Sequence, residues 1–203
     1  MEANANTETP ATGRLQRRKA KTRAAILAAA SALFDRQGYD ETSILQVAER
    51  ADTGVGTVYG YFRSKEDLLG AVLSERTELA VREYLPQLAS VPDAVERILA
   101  ALRFFTTFIQ DNRAILHATF QVSTRRHSEA LPPADWLFGI FEEMLTTGIE
   151  SGELRLVPVD ATARASVGVH LMAVLGIGIF RDRVNDPALV TDLQTIARAL
   201  LEK

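Results

Sequence analysis

The 203-residue sequence predicts an all-α protein, an N-terminal three-helix helix-turn-helix domain followed by a C-terminal antiparallel helical bundle. Apolar residues recur at i, i+3, i+4 and i+7 along most of the chain, the period of a helix with one buried face. No convincing period-2 alternation interrupts them, so no sheet is expected. Proline and glycine, at Gly38, Gly54, Pro132-Pro133, Gly152, Pro158 and Pro187, cut the pattern into helix-length pieces.

The elements follow in order. Met1–Pro10 is polar and acidic and lacks the apolar stretch of a secretory signal, and residues 1–13 read as disordered. Arg14, Arg17, Arg18, Lys19, Lys21 and Arg23 follow with no acid between them, so residues 1–19 form a disordered arm with a basic end. That end is either a contact for a polyanion or a solvated tail. Thr22 can cap a first helix carrying Ile26, Leu27, Ala30, Leu33 and Phe34, which Gly38 ends. Thr42 or Ser43 caps a second helix, where Ser43 with Gln46 fits a capping box, and Ile44, Val47 and Ala48 form its apolar stripe. Asp52-Thr53-Gly54 is a tight turn, since Asp and Gly both tolerate left-handed backbone. A third short helix runs from Val55 to Tyr61. Ser64, with Asp67 three residues on, opens a fourth that buries Leu68, Leu69, Val72 and Leu73 and stops before Pro86. Later helices are expected near 93–110, 113–127, 133–150, 160–182 and 187–202.

Two short helices joined by a tight turn, the second rich in small and hydroxyl side chains, match a helix-turn-helix. The second helix must enter a major groove about 12 Å wide, and small residues at its start let the backbone approach. Val55 can meet a thymine methyl, and Thr57 can bond a base edge or a phosphate. Tyr59 and Tyr61 supply hydroxyl donors, unless one of them is core. Lys65 stands at the next helix start, where its charge and the free N–H groups favour a phosphate. Val58 and Phe62, four apart, should face inward.

The stretches Val47-Ala48-Glu49-Arg50-Ala51 and Gly56-Thr57-Val58-Tyr59-Gly60-Tyr61-Phe62-Arg63-Ser64-Lys65-Glu66-Asp67-Leu68-Leu69 resemble the tetracycline-repressor (TetR) family. So do Thr22-Arg23-Ala24-Ala25-Ile26-Leu27, Leu33-Phe34 and Gly38-Tyr39. The resemblance covers residues 20–80; beyond them it rests on length and helical content. It implies a cytoplasmic homodimer that binds a double-stranded, palindromic DNA operator, with a DNA-binding domain at 20–80 and an effector-binding and dimerisation domain at 81–203. It also implies that an unidentified small hydrophobic effector shifts the spacing of the two recognition helices and releases the operator. By motif position, Ser43, Ile44 and Leu45 would lie near DNA, and Val55, Gly56, Thr57, Tyr59, Tyr61 and Lys65 would make the recognition-helix contacts. Three turn positions depart from the family's Ala-Gly-Val-Ser, reading Ala51-Asp52-Thr53-Gly54, and Leu45 replaces a frequent polar base reader.

In the C-terminal part, Ile98, Leu99, Leu102, Phe104, Phe105, Phe108 and Ile109 make one helix apolar on most sides, as a central helix is. A ligand pocket is apolar with a few placed polar groups. Arg103, Phe104, Phe108, His117, Phe120, Gln121, Trp136, Phe141 and His170 are candidates to line it, the alternative being that the aromatics are core and the histidines are satisfied by hydrogen bonds. The last two helices are the dimer candidates, by that resemblance and by composition. Gly168, Ala173, Gly176 and Gly178 permit close approach, and Val169, Leu175, Ile177, Leu193, Ile196, Leu200 and Leu201 can bury a four-helix seam.

Other function classes fare worse. With no cysteine, disulfides, thiolate metal sites and a thiol nucleophile are excluded. There is no HExxH, no nucleophile elbow and no P-loop, and His117, His127 and His170 are scattered, so neither an enzyme, a metal site nor a cofactor is expected. Gly54, Gly56 and Gly60 have the wrong spacing for a dinucleotide fingerprint and follow no strand. The uncharged stretch from Ala165 to Phe180 falls short of the ~20 residues that span a bilayer, so no membrane partner is expected.

Overall fold

The helical period is realised as nine α-helices and one short 3-10 helix, with no strand, among the described residues 10–126, 135–183 and 186–203 of a computed structural model. Two compact units divide after Val72.

The first unit holds α1 (Pro10–Gln37), α2 (Ile44–Arg50), α3 (Val55–Tyr61) and the first turns of α4 (Lys65–Ala89). Its core is the predicted set: Ile26, Leu27, Ala30, Leu33 and Phe34 of α1 meet Val47, Ala48, Val58, Phe62, Leu68, Leu69 and Val72. The arm expected to be disordered over 1–19 is helical from Pro10. Proline is well placed in a first helical turn, and Arg, Leu, Gln, Lys and Ala are strong helix formers, so nothing between Arg14 and Lys21 breaks the helix. Thr22 therefore caps nothing; its hydroxyl donates to the Arg18 carbonyl at 3.1 Å.

The second unit holds the rest of α4, then α5 (Ala94–Asp111), α6 (Arg113–Arg126), α7 (Asp135–Glu150), α8 (Val159–Leu175), the 3-10 helix Gly178–Arg183 and α9 (Pro187–Leu201). α5 is central, packing on α6, α7, α8 and α9. Asp93 caps it by accepting from the Glu96 N–H at 2.8 Å.

Two helix ends differ from expectation. α4 runs through Pro86 to Ala89. The proline forfeits one backbone bond, and burial of Leu88 one half-turn later offsets the loss. The single helix expected over 160–182 breaks at Gly176, left-handed at φ 67° and ψ 45°. Gly176 donates to Ala173 O at 3.2 Å and Ile177 to Met172 O at 2.9 Å, the paired bonds of a glycine-terminated helix. The residues Pro132-Pro133 and His127 lie outside the described set. Among the described residues no helix is long and apolar enough to cross a membrane.

Candidate nucleic-acid interface and apolar cavity

The helix-turn-helix is set by local bonds. Ser43 Oγ accepts from the Gln46 N–H at 3.2 Å while Gln46 Oε1 accepts from the Ser43 N–H at 2.8 Å, so the expected capping box opens α2. The buried Thr42 hydroxyl does a different job, donating to the Gly38 carbonyl at 2.7 Å and closing the α1–α2 loop. The turn into α3 requires left-handed backbone at Asp52, which stands at φ 50°. The Asp52 backbone N–H donates to Glu49 O at 3.2 Å and the Thr53 N–H to Ala48 O at 2.9 Å, reversing the chain. Gly54 then starts α3 without a side-chain cap.

This geometry sorts the side chains of α3. Val58 and Phe62 are buried, anchoring the helix. Gly56, Thr57, Tyr59 and Gly60 are exposed, and Val55 and Tyr61 are half-buried. On α2, Ser43 and Leu45 are exposed and Ile44 is half-buried. The outward face of α2 and α3 therefore offers methyl groups, hydroxyls and bare backbone. Lys65 is tethered: its Nζ donates to Asp40 O at 3.2 Å and sits 4.2 Å from the Tyr39 ring centroid. Partial burial lowers its pKa from the ordinary lysine value, against the opposing pull of Asp40, Glu66 and Glu41. An ammonium has three donors, so two remain after the Asp40 bond.

The second unit contains an apolar cavity of about 250 Å³. Its longest wall is one face of α4, with Leu73, Thr77, Ala80, Val81, Tyr84, Leu85 and Leu88. α5 adds Ala101, Phe104, Phe105 and Phe108, α7 adds Leu137, Phe138, Ile140 and Phe141, and α6 and α8 complete it with Leu116, Val167, Gly168 and Leu171. Tyr84 stacks on Phe104 with centroids 3.7 Å apart, joining two walls. Thr77 and Tyr84 bring the hydroxyls, and that of Thr77 already donates to Leu73 O at 2.8 Å.

Of the sequence candidates, Phe104, Phe108 and Phe141 lie on this wall. The polar ones do not, because each is engaged elsewhere. Arg103 is exposed and 3.9 Å from Glu96. His117 is exposed, its Nδ1 3.1 Å from Gln121 Nε2 one turn on. Phe120 is half-buried away from the cavity. His170 is buried with Nδ1 2.7 Å from Ser166 O; a carbonyl only accepts, so Nδ1 carries the proton and Nε2 is a buried acceptor with no hydrogen-bond partner among the described residues. Burial, partly opposed by the Ser166 carbonyl, lowers its pKa from the ordinary histidine value. The side chain of Trp136 lies outside the described residues. The sequence reading overlooked the α4 wall, although its apolar spacing past Ala80 is visible in the residue order.

The dimer candidates also divide. Ala173, Leu175 and Leu201 are buried inside the chain's own core, whereas Ile196 and Leu200 are exposed at 63% and 42%. Gly168 faces the cavity, and Gly176 and Gly178 end and follow α8 instead of lining a helix. Among the described residues no cluster of three potential metal ligands occurs.

Comparison with known proteins places this architecture. Residues 26–72 match the family model for bacterial regulatory proteins, tetR family. The HTH-type transcriptional regulator HbdR of Aromatoleum sp. (strain CIB) is 33% identical over 88 residues, 43% of this chain and 38% of its own length, so the match spans well under half of that relative. The structure of FadR from Bacillus subtilis in complex with stearoyl-CoA superposes with TM-score 0.68 at 21% identity, covering 86% of this chain and 97% of that one. That of RolR in complex with resorcinol superposes with TM-score 0.71 at 20% identity, covering 92% and 90%. At these identities the two structures show a shared fold, and the family match identifies residues 26–72 of this chain as a helix-turn-helix segment of the bacterial tetR family.

Proposed function

We propose that the protein is a ligand-responsive repressor, a homodimer that holds a palindromic duplex operator and is released when a small hydrophobic effector fills the cavity of the second unit. One observation carries the reading. The helix that gives Leu68, Leu69 and Val72 to the core of the first unit gives Leu73 to Leu88 to the cavity wall. An effector that prefers one position of α4 therefore biases the segment that supports α3, and the operator is lost by a shift of populations. FadR and RolR, each solved with a small molecule, support a ligand for this fold. We assign DNA binding to residues 20–80 and effector binding and dimerisation to 81–203, with Leu73–Ala80 serving both.

On the DNA side, exposed Ser43, Leu45, Gly56, Thr57 and Tyr59, with half-buried Ile44, Val55, Tyr61 and Lys65, form the contact face. Val55 and Leu45 meet thymine methyls, Thr57 a base edge, and Tyr59, Tyr61 and Lys65 the phosphates. For the dimer, α9 carries two apolar stripes. Val190, Ala197 and Leu201 face its own unit, while Leu189, Leu193, Ile196 and Leu200, at i, i+4, i+7 and i+11, form a second face that includes the exposed Ile196 and Leu200. A copy of the same helix covers it across a two-fold axis. The protein acts in the cytoplasm and turns over no substrate.

The test is fluorescence anisotropy with the duplex lying upstream of the protein's own gene, titrated with salt. Affinity should fall steeply with salt, and Tyr59→Ala with Lys65→Ala should abolish binding while helicity is kept. Salt-insensitive or absent binding by the wild type would overturn the reading.

A further inference from the structure

We propose that the Arg14–Lys21 stretch of α1 is a second DNA-binding element, a basic helix that grips duplex phosphates flanking the segment read by α3. In α1 burial starts at Ile26, and every residue from Arg14 to Lys21 is exposed. Arg14, Arg17, Arg18 and Lys21 are spaced three, four and seven apart and share one face. Lys19 and Arg23, four apart, stand on the opposite side, in line with the row that continues as Ile26 and Ala30 into the core. That row also carries Leu15, exposed at 56%, but Lys19 and Arg23 put cations where a packed helix would be apolar, and no residue of the row before Ile26 is buried. Both faces therefore carry cations.

Like charges three and four apart repel along a helix, so this stretch is a poor design for a free, solvated helix and a good one for a helix laid against a polyanion. Among the described residues, Arg14, Arg17, Arg18, Lys19 and Lys21 make no ion pair that would neutralise them. The chain as a whole has a net charge of −3, which marks this end as its cationic one. The stretch also adjoins the reading helix. The Arg23 guanidinium lies 5.6 Å from the ring centroid of Phe62, the residue that ends α3. From there α1 runs back toward Arg14 for about 14 Å at 1.5 Å per residue. Duplex DNA presents one phosphate charge per ~1.7 Å of axis, so that length spans several phosphates. The occupant is thus the operator's flank and not a separate partner.

The experiment uses the full-length protein and the variant Arg14→Gln/Arg17→Gln/Arg18→Gln/Lys21→Gln, with a fluorescein-labelled 40-base-pair random-sequence duplex as the probe. Anisotropy is read across a salt series, and circular dichroism checks that the helix remains. The variant should bind at least about ten-fold more weakly near 0.1 M salt, and its log–log salt slope should flatten by about 0.9 for each phosphate no longer neutralised. The charge-keeping variant Arg14→Lys/Arg17→Lys/Arg18→Lys should restore the slope. Equal affinity and slope in wild type and Gln variant would overturn the proposal, as would weaker binding with an unchanged slope. A loss seen only on phosphatidylglycerol vesicles would also overturn it, because the stretch would then be a membrane contact. Failure of the wild type to bind any duplex would instead strike the DNA-binding assignment itself, and Tyr59→Ala run in parallel separates the two.

Discussion

At the scale of single residues, two side chains occupy positions their chemistry resists. Asp52 is held left-handed at φ 50°, where a Cβ crowds the backbone and glycine does not. Replacing it removes strain of about 1–2 kcal/mol and adds unfolded-state freedom of about 0.5–1 kcal/mol, so Asp52→Gly should stabilise by about 0.5 kcal/mol. A urea midpoint lower than wild type would contradict this. The tolerance was legible, since Asp visits this region more readily than most residues. His170 is the second case. Its lowered pKa keeps the folded ring neutral at a pH where the unfolded chain already takes up a proton, near ~6.5. Below that pH the unfolded state binds more protons, so stability falls as pH falls and levels off only beneath the folded-state value. The limiting slope is about 1.4 kcal/mol per pH unit. His170→Leu should remove this component between about pH 7 and 5.5, measured as the change in unfolding free energy across that window. Parallel pH profiles for the two proteins would refute it. Nothing in the sequence distinguished His170 from the exposed His117; burial alone separates them.

At the scale of elements, the starts of α2 and α3 were easier to foresee than the ends of α4 and α8, whereas α1 starts at Pro10, well before the expected Thr22 cap. Ser43 with Gln46 and the glycine-led α3 follow from side chains within four residues, and such local chemistry is written in order along the chain. The ends depend on partners far away in sequence. Pro86 fails to stop α4 because Leu88 beyond it is buried, and Gly176 stops α8 in the middle of an apolar run because its left-handed turn closes two backbone bonds. The end of α7 is another long-range contact. An added Cβ on Gly148 would lie 2.6 Å from Leu154 Cδ1, 2.7 Å from its Cγ and 3.1 Å from Ala94 Cβ. Leu154 is buried and cannot swing away. Gly148→Ala should therefore destabilise by about 1–3 kcal/mol despite the better helix propensity of alanine. An unchanged or raised unfolding midpoint would show that the α7–α8 turn relaxes freely.

At the scale of the molecule, the cavity is where a substitution can separate the two activities we propose. Gly168 lines it from α8, and an added Cβ there meets nothing within 4 Å. Gly168→Phe should fill the space, abolish binding of the uncharged dye N-phenyl-1-naphthylamine, and leave whatever duplex affinity remains insensitive to that dye, since a ligand shifts an equilibrium only by its differential affinity. Dye binding that survives in the variant would move the effector site elsewhere.

The all-α class, the helix-turn-helix and the inward Val58 and Phe62 were readable from residue order, because helix period, caps and turn chemistry act over a few neighbours. The cavity was not. Its walls come from five helices, and whether an apolar residue lines a void or fills a core depends on which faces meet. Thus Phe104 and Phe108 were foreseen as lining, whereas the α4 row from Thr77 to Leu88 was not. Arg103, His117 and Gln121 look like placed polar groups in an apolar run, yet they stay off the cavity wall once α5 and α6 take up their packed orientations. The arm expected to be loose is instead a helix extending from the core of the first unit, with its cations ordered on two faces. Local chemistry determined what each segment is, and only the meeting of distant faces decided which side chains are left free to bind.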